Sequence, residues 1–271
     1  MAITSPSKIK ELCEEFGIRP TKSKGQNFLI DKNILDKIIV SADLKKSDTV
    51  LEVGPGFGVL TEELLGRVQK VFAIELDKKL FDYLSEKFYC VGNLEIINQD
   101  ILKLEIRNLK LKKYKVIANL PYQITSAVIR KFLENKIKPK LLVLMVQKEV
   151  AERICARPGD MSLLAISVQF YGKPEIVSRV SKNCFWPVPK VDSAILRITP
   201  IKREKNDEEK FFCIVRAGFA HPRKQLRRNL ADGLNISVGQ IDKSLEFAKL
   251  NPKIRAEELG VEDWIILTNL I

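Results

Sequence analysis

From Thr49 onward, short apolar runs alternate along the chain with segments of helical periodicity. Seven runs predict β-strands, at residues 49–53, 71–75, 94–97, 115–118, 141–146, 175–180 and 193–198. The first five are apolar at most positions, which is typical of strands covered on both faces of a sheet. Four helical stretches lie between them, at residues 59–66, 77–89, 125–135 and 147–156, and another helix is predicted to begin near Asp31, before the first strand. This order predicts an α/β fold with a doubly wound sheet, in which the last two strands can include an antiparallel one.

The pattern changes after Pro200. A charged segment with few apolar positions, 201–210, precedes a region that predicts only helices. One helix runs from about residue 207 to 218, and another from Pro222 to a stop at Gly233; a third is capped by Ser237, and the last covers 261–270. We therefore expect two domains, residues 1–199 and a small all-helical domain at 200–271.

Charge and rare residues narrow the chemistry. Lys and Arg number 46 against 34 Asp and Glu, and the net charge of +12 favours a polyanionic partner, although charge alone does not name it. Five scattered cysteines without a C-x-x-C pair, and a single histidine, His221, predict no disulfide framework and no metal site. The chain shows no signal peptide and no apolar run long enough for a membrane span, so we expect a cytoplasmic protein without a membrane partner.

A glycine-rich loop follows the first strand. The loop Gly54-Pro55-Gly56-Phe57-Gly58 lacks both the third glycine of a dinucleotide fingerprint, which would stand at Val59, and the lysine of a P-loop. The pattern E-x-G-x-G-x-G resembles instead the first motif of S-adenosylmethionine-dependent methyltransferases. Glu75 ends the next strand, where a carboxylate can accept both ribose hydroxyls. Asp100 follows the third strand, in a suitable place to accept from an adenine amino group. Each acid alone could be a solvated strand end, but three successive strand ends predict a cofactor site.

The tetrapeptide Asn119-Leu120-Pro121-Tyr122 follows the fourth strand and resembles the catalytic motif of methyltransferases that act on adenine amino groups. The lone pair of adenine N6 is delocalised into the ring, which makes the nitrogen a poor nucleophile. The Asn119 side-chain oxygen and the Leu120 carbonyl can hold its hydrogens and favour a pyramidal nitrogen. Pro121 restricts the direction of the Leu120 carbonyl, and Tyr122 offers an aromatic face to an unstacked base. The alternative interpretation is a plain turn.

Six motifs together resemble one known family, the small-subunit ribosomal RNA adenine dimethyltransferases. They keep the family's order over nearly the whole catalytic half of the chain. The matching motifs are Gly25-Gln26-Asn27-Phe28-Leu29, Glu52-Val53-Gly54-Pro55-Gly56-Phe57-Gly58, Glu75-Leu76-Asp77, Asn119-Leu120-Pro121-Tyr122, Met145-Val146-Gln147-Lys148-Glu149-Val150-Ala151 and Phe185-Trp186-Pro187-Val188-Pro189-Lys190-Val191-Asp192-Ser193.

The resemblance implies a Rossmann-like class I methyltransferase sheet and two methyl transfers from S-adenosylmethionine to N6 of each of two adjacent adenosines. These lie in a hairpin loop near the 3′ end of small-subunit rRNA, within a pre-ribosomal particle, and we expect a monomer. Tyr122 and Phe185 would sandwich the target base, with Asn119 and Leu120 as the other catalytic residues. Judged from its loop alone, Phe185 could instead be a core residue that anchors the loop. The implied cofactor contacts are Asn27, Leu29, Gly54, Gly56, Glu75, Asp100 and Asn119.

The resemblance also implies that the helical domain helps to grip rRNA. Arg216, Arg223, Lys224, Arg227 and Arg228 lie close together without an intervening acid, which fits phosphate contacts, although a solvated basic face would look the same. One departure concerns the run Ala220-His221-Pro222-Arg223-Lys224, where relatives usually carry a run like Q-R-R-K. Because Pro222 predicts a new helix at its first position, the phosphate contacts there stay open, and we expect an exposed, uninvolved His221.

Two other classes compete with this interpretation. The related large-subunit rRNA methyltransferases that confer macrolide resistance more often carry isoleucine where Leu120 stands, and they lack the ending Lys-Val-Asp-Ser of the last motif. A non-catalytic assembly or transcription factor could keep the fold, but the presence of Asn119, Tyr122, Glu75 and Asp100 argues against a loss of catalysis.

Overall fold

Two compact units make up the chain. The structure is a computed structural model that describes residues 5–20, 25–203 and 208–271. Unit 1 comprises the residues up to Ala151 together with Pro174–Pro200, and unit 2 comprises Glu152–Lys173 and Ile201–Ile271. The boundary expected near residue 200 coincides with the third break between the units, after Pro200. Glu152–Lys173, expected in the first domain, clusters in the structure with the C-terminal helices.

A seven-stranded sheet forms the centre of unit 1. The strands are β1 (Phe28–Leu29), β2 (Thr49–Val53), β3 (Lys70–Glu75), β4 (Leu94–Asn98), β5 (Lys115–Asn119), β6 (Leu141–Gln147), β7 (Gly172–Val180), β8 (Phe185–Trp186) and β9 (Ser193–Pro200). The sheet order is β4-β3-β2-β5-β6-β9-β7, while β1 and β8 form a separate antiparallel pair. The five strands β4, β3, β2, β5 and β6, in this order across the sheet, pair in parallel, and β9 runs antiparallel to β6. The predicted doubly wound sheet with an antiparallel strand is therefore confirmed.

The parallel register brings the carboxyl ends of four strands together. Val53 pairs with Ile74 on one side and with Ala118 on the other, so the residues that follow β2, β3 and β5 emerge at the same edge. Glu75 pairs with Asn98 of β4, which adds a fourth strand end. Strand β4 is only partly covered along its length. The expectation that it is buried on both faces was therefore wrong, because β4 lies at the edge of the sheet.

Most of the helices lie where the periodicity of the sequence predicts them. Their bounds are α1 (Pro6–Glu15), α2 (Lys32–Ser41), α3 (Val59–Leu65), α4 (Lys78–Lys87), α5 (Thr125–Glu134), α6 (Lys148–Ile154), α7 (Leu163–Tyr171), α8 (Glu208–Gly218), α9 (Leu226–Leu234), α10 (Val238–Phe247) and α11 (Val261–Leu270). Helices α1 and α7 were not predicted, and the start expected for α8 near residue 207 lies outside the described residues. None of the helices within the described ranges is long and apolar enough to cross a membrane.

Two apolar clusters hold unit 1 together. On one face of the sheet, α2 and α3 pack against alternate residues of the strands, including Val50, Ile117 and Val143. A second cluster joins α1 and α4 to Phe28 and Phe57, whose ring centroids lie 4.6 Å apart. Phe57 belongs to the loop between β2 and α3, and Phe28 belongs to β1. Both segments are therefore held in place by buried aromatic side chains of this second cluster.

In unit 2, the connection between α8 and α9 differs from the prediction. Helix α9 begins at Leu226, and Pro222 lies instead in a turn closed by a 3.0 Å hydrogen bond from Lys224 N to the His221 carbonyl. The fixed φ of proline suits the second position of such a turn as well as a helix start, which explains the error. Gly233 does not end α9 either: Asn235, with φ of 55°, is the C-cap, and a Cβ on Gly233 would lie 2.7 Å from the Ala217 Cβ.

A buried lysine links α2 to the sheet. Lys115, at the start of β5, is 7% exposed, and its Nζ donates to the Ala42 carbonyl at 2.9 Å and to the Asp43 carbonyl. The same ammonium lies 2.8 Å from Asp48 Oδ2. It therefore satisfies carbonyl groups at the end of α2 and neutralises a carboxylate that is itself largely covered.

We expect Lys115→Met to lower the free energy of unfolding by roughly 3 to 5 kcal/mol, because it leaves Asp48 and the end of α2 without partners. Adding Asp48→Asn should recover part of the loss. Urea unfolding of the full chain measures both effects. The control is Lys78→Met, which removes an exposed ion pair with Asp82 of 2.5 Å and should change stability little. Equal losses for the two lysine variants would contradict the role given to Lys115.

Candidate active site

A cavity of about 140 Å³ lies at the carboxyl edge of the parallel strands in unit 1. All of the predicted cofactor residues and three of the four predicted catalytic residues line it. These are Asn27, Leu29, Gly54, Gly56, Glu75, Asp100, Asn119, Leu120 and Tyr122. The convergence follows from the strand register, which places the residues after β2, β3, β4 and β5 next to one another.

The glycine loop after β2 forms the floor of the cavity. Gly54 and Gly56 have φ of 70° and 59°, in the left-handed region that glycine adopts without strain. A Cβ on Gly56 would also lie 3.1 Å from the Phe28 ring. The loop can thus bring its backbone close to a ligand, and it directs the Gly56 N–H to Glu75 Oε2 at 3.3 Å.

Glu75 is a carboxyl group buried at the end of β3, with 6% of its surface exposed. Its Oε1 accepts from the Asp77 N–H at 2.8 Å, and its Oε2 accepts from Gly56. Burial raises the pKa of this carboxyl to about 7, against the lowering effect of the backbone hydrogen bonds. Each oxygen keeps a second lone pair for a hydroxyl donor, so the group fits the ribose of an S-adenosyl compound.

The side chains around the next two strand ends suit a planar base. Asp100 Oδ1 accepts from the Leu102 N–H at 2.8 Å, and Oδ2 makes no hydrogen bond within the described ranges. Leu76 and Ile101 also line the cavity, and Leu76 is 64% exposed although it is a large apolar residue. Sequence reasoning did not select these two. Their position directly after Glu75 and Asp100 was the available signal, since a base held by a polar edge needs apolar contacts on its faces.

A second buried carboxyl group lies below the glycine loop. Glu52 is almost completely buried and lines the cavity, and its Oε2 accepts from the Thr61 hydroxyl at 2.7 Å. Its Oε1 has no partner among the described residues. Burial raises the pKa of Glu52 to about 8, while the Thr61 hydrogen bond lowers it and the nearby Glu75 raises it. The carboxyl is therefore largely protonated at neutral pH, which avoids the cost of a buried charge.

The end of β5 presents two hydrogen-bond acceptors. Asn119 Nδ2 donates to the Asn27 carbonyl at 3.0 Å, which orients the side-chain amide and leaves Oδ1 as the free end. The Leu120 N–H donates to the Met145 carbonyl at 3.2 Å, on the neighbouring strand β6. Neither Asn119 Oδ1 nor the Leu120 carbonyl accepts a hydrogen bond within the parts of the chain that the structure describes. Two unused acceptors at the cavity wall match the demand of an exocyclic amino group.

Tyr122 stands beside these acceptors in a short 3₁₀ turn, Tyr122–Ile124. Its side chain lines the cavity and is half-buried, and its hydroxyl lies 2.8 Å from Ser193 Oγ. Burial raises the pKa of the Tyr122 phenol, while the Ser193 hydrogen bond lowers it, so the ring stays neutral. A neutral aromatic face next to two acceptors suits an adenine ring.

Phe185 is not brought to the cavity. Its side chain is 1% exposed and belongs to the apolar cluster under α2, and its strand β8 pairs with β1, with Leu29 opposite Phe185. The sequence analysis expected this ring on the second face of the target base. In the structure it packs behind the segment that carries Asn27 and Leu29, because a two-strand ladder holds its backbone there.

The basic residues predicted to bind RNA lie around the start of α9 in unit 2. Arg223, Lys224 and Arg228 are exposed, and Lys224 Nζ lies 3.6 Å from Asp232 Oδ2. Arg227 is half-buried, and its guanidinium donates to Gln225 Oε1 at 3.1 Å and to Asp242 Oδ2 at 3.3 Å. Arg227 therefore joins α9 to α10, while Arg223 and Arg228 have no side-chain partner in the described ranges. His221 is exposed, and its carbonyl accepts from Asn229 Nδ2 at 3.0 Å as well as from the Lys224 N–H.

Comparison with known proteins decides the family. A family model described as Ribosomal RNA adenine dimethylase matches residues 19–271. The chain belongs to the ribosomal RNA adenine dimethylase family. It is therefore an S-adenosylmethionine-dependent rRNA adenine dimethyltransferase, as the sequence motifs predict. Among residues 5–20, 25–203 and 208–271, the structure contains no cluster of side chains that could hold a metal ion.

Curated relatives of this rRNA adenine dimethylase extend over nearly its full length. It is 49% identical over 264 residues to the Ribosomal RNA small subunit methyltransferase A of Dehalococcoides mccartyi, covering 95% of this chain and 90% of the relative. It is 40% identical over 278 residues to the protein of the same name from Alkaliphilus oremlandii, covering 98% and 97%.

Solved structures confirm the predicted class of fold for this dimethylase. A dimethyladenosine transferase from Plasmodium falciparum matches with a TM-score of 0.74 and 30% identity, covering 89% of this chain and 95% of that one. The 23S rRNA methyltransferase ErmE matches with a TM-score of 0.73 and 29% identity, covering 90% and 99%. Because the two scores are nearly equal, the fold alone does not distinguish between rRNA substrates.

We expect binding of the cofactor's nucleoside part to depend on the ionisation of Glu75. Ribose hydroxyls donate to the ionised carboxylate, so affinity should rise with pH through about 7 and level off above pH 8. Calorimetric titration with methylthioadenosine, which carries the ribose and adenine without the titrating amino acid, should show up to about tenfold weaker binding at pH 6 than at pH 8.

The Glu75→Gln variant should bind more weakly and show no such pH dependence. The control is Glu52→Gln, which removes the other buried carboxyl and should keep the dependence. If the pH dependence persists in Glu75→Gln and disappears in Glu52→Gln, the titrating group is Glu52, and the role given to Glu75 is contradicted.

Proposed function

We propose that the enzyme dimethylates N6 of two adjacent adenosines in a hairpin loop near the 3′ end of small-subunit rRNA. It acts as a cytoplasmic monomer on a pre-ribosomal particle. The observation that carries the proposal is the pair of unused acceptors, Asn119 Oδ1 and the Leu120 carbonyl, at the wall of a cavity suited to S-adenosylmethionine. The names of the curated relatives support the choice of the small subunit.

The chain's own residues supply orientation and polarisation. When bound, S-adenosylmethionine contributes an electrophilic methyl group, and Glu75, Asp100 and the glycine loop are the groups that would hold it. Asn119 Oδ1 and the Leu120 carbonyl accept the two N6 hydrogens, which withdraws the nitrogen lone pair from the purine ring and directs it out of the plane. Each transfer leaves N6 positively charged, so one of its protons must pass to solvent before the next transfer. A single N–H then remains, and one acceptor suffices to hold it. Tyr122 offers its ring to the base.

Features of the sequence favour the small subunit over the large one. Leu120 and the run Lys190-Val191-Asp192-Ser193 are the positions at which large-subunit enzymes more often differ. The likeness to ErmE in fold makes large-subunit rRNA the second candidate. Methyl-labelled cofactor, incubated with unmethylated small subunits and with large subunits, separates the two. The proposal requires label in two adjacent small-subunit adenosines, and label confined to large-subunit RNA would refute it.

We expect Asn119→Ala to lower the rate of methyl transfer by on the order of 10² to 10³, the effect of losing one preorganised polar partner in the transition state. Some loss of cofactor affinity is expected as well, but a saturating cofactor concentration should not restore the rate. Single-turnover transfer to small subunits measures it.

A matched control is Asn93→Ala. The Asn93 amide donates to the Leu65 carbonyl at 3.1 Å, so its removal also breaks a side-chain contact to the backbone, but it lies outside the cavity lining. This variant should transfer methyl groups at the wild-type rate. If a folded Asn119→Ala protein transfers methyl groups at nearly the wild-type rate, Asn119 has no catalytic role and the motif Asn119-Leu120-Pro121-Tyr122 is only a turn.

We propose that unit 2 contributes phosphate contacts through Arg223 and Arg228. The variant Arg223→Glu/Arg228→Glu should weaken particle binding and reduce the slope of log affinity against log salt by about two, since each phosphate contact contributes about 0.9. Binding measured between about 50 and 200 mM salt gives the slope. The control, Lys243→Glu/Lys249→Glu, makes the same change in charge at exposed positions of unit 2. If both variants alter the slope equally, net charge and not this surface explains the binding.

A further inference from the structure

Ser193 is a buried residue that is hydrogen-bonded to Tyr122 of the active site. Its side chain is 0% exposed, and it does not belong to the cavity lining. Its Oγ lies 2.8 Å from the Tyr122 hydroxyl, across a separation of 71 residues in sequence. A hydroxyl pair at this distance is a well-formed hydrogen bond, whichever oxygen donates.

The backbone around Ser193 is fixed on both sides. Ser193 is the first residue of β9 and pairs with Gln147, the last residue of β6. The preceding residue, Asp192, accepts from the Lys148 N–H at 3.0 Å through its carbonyl and from the Lys182 N–H at 2.9 Å through its carboxylate. The Ser193 hydroxyl is therefore a stationary anchor and not a mobile side chain on a loop.

The hydrogen bond fixes one degree of freedom of the tyrosine and leaves another. The phenol oxygen lies on the axis that joins the ring to its Cβ, so holding that oxygen fixes the direction of the side chain. Rotation of the ring about the same axis is left to whatever packs on its faces. Ser193 thus determines where the ring stands, and a stacked base would determine its plane.

The same sheet holds the other groups that would contact the base. Asn119, at the end of β5, pairs with Met145 of β6, and β6 pairs with β9, which carries Ser193. Through Met145, Asn119 is in register with Ile195, two residues along β9 from Ser193. With about 4.8 Å between strands and about 3.3 Å per residue, Ser193 and Asn119 are roughly 12 Å apart in one hydrogen-bonded sheet. The edge and the face of a bound adenine are then positioned relative to each other by β5, β6 and β9.

We propose that Ser193 is a positioning residue for methyl transfer, which holds the Tyr122 ring at the face of the target adenine through its hydroxyl. The inference rests on the proposed function and extends it. Stacking by itself needs only an aromatic ring, and phenylalanine would supply that. The tyrosine oxygen and its buried partner are needed because a small displacement of the base from the two acceptors and the methyl group slows transfer.

The test uses Ser193→Ala, Tyr122→Phe and the double variant in the full chain, with unmethylated small subunits and S-adenosylmethionine. Each single variant should lower kcat by about 3- to 10-fold, the range expected for one hydrogen bond. The double variant should be no slower than either single one, because both changes remove the same bond. Cofactor affinity and KM for the particle should stay near wild type.

Tyr114→Phe is the matched control. The Tyr114 hydroxyl donates to the Ile137 carbonyl at 2.9 Å in the core of unit 1, outside the cavity lining. Its loss should lower the urea midpoint without changing kcat, so a purely structural effect is separated from positioning. Tyr122→Phe removes only one oxygen and keeps the experiment decisive if Ser193→Ala does not fold.

Two results would overturn the inference while leaving the proposed function intact. In the first, the wild-type protein methylates small subunits, and kcat of Tyr122→Phe or of a folded Ser193→Ala lies within twofold of the wild-type value. The second is a double variant whose loss equals the product of the single losses. Failure of the wild-type protein to methylate small subunits would contradict the proposed function itself, and the inference with it.

Discussion

The parallel register of β2, β3, β4 and β5 is the constraint on which the site depends. It brings the residues that follow these strands to one edge, where Gly54, Glu75, Asp100 and Asn119 line a single cavity. A one-residue shift between two strands would reverse which side chains face the helices, and the apolar clusters on the sheet prevent it. The fold thus positions the chemistry through hydrophobic packing that is itself remote from the reacting atoms.

A small number of polar groups line the cavity, although the residues packed around it are mostly apolar. Glu52 and Glu75 are buried carboxyl groups with pKa values raised to about 8 and about 7, and Glu52 keeps one oxygen without a partner in the described ranges. Asn119 uses its amide nitrogen on the Asn27 carbonyl and leaves its oxygen unused. Buried polar groups with spare hydrogen-bonding capacity reduce stability, and they occur here where a ligand would complete them.

The sequence predicted the strands and the residues at their ends well, because buried parallel strands leave a continuous apolar pattern and Glu75 and Asn119 follow such runs directly. It failed where a local signal has two physical meanings. Pro222 fits a turn as well as a helix start, and Phe185 fits a core position as well as a stacking surface. The contact between Tyr122 and Ser193 joins residues far apart in sequence, and no local pattern indicates it. Such a contact depends on the order of the strands in the sheet.

The role proposed for Asn119 and Leu120 is to hold the amino group of an adenine. A crystal structure of the chain with S-adenosylhomocysteine and a short RNA containing the target adenosines tests it most directly. We expect an unstacked adenine with N6 within about 3 Å of both Asn119 Oδ1 and the Leu120 carbonyl, and with the Asn119 amide still bonded to Asn27. An adenine bound with its N6 away from both oxygens, or an Asn119 amide turned to present its nitrogen, would contradict it.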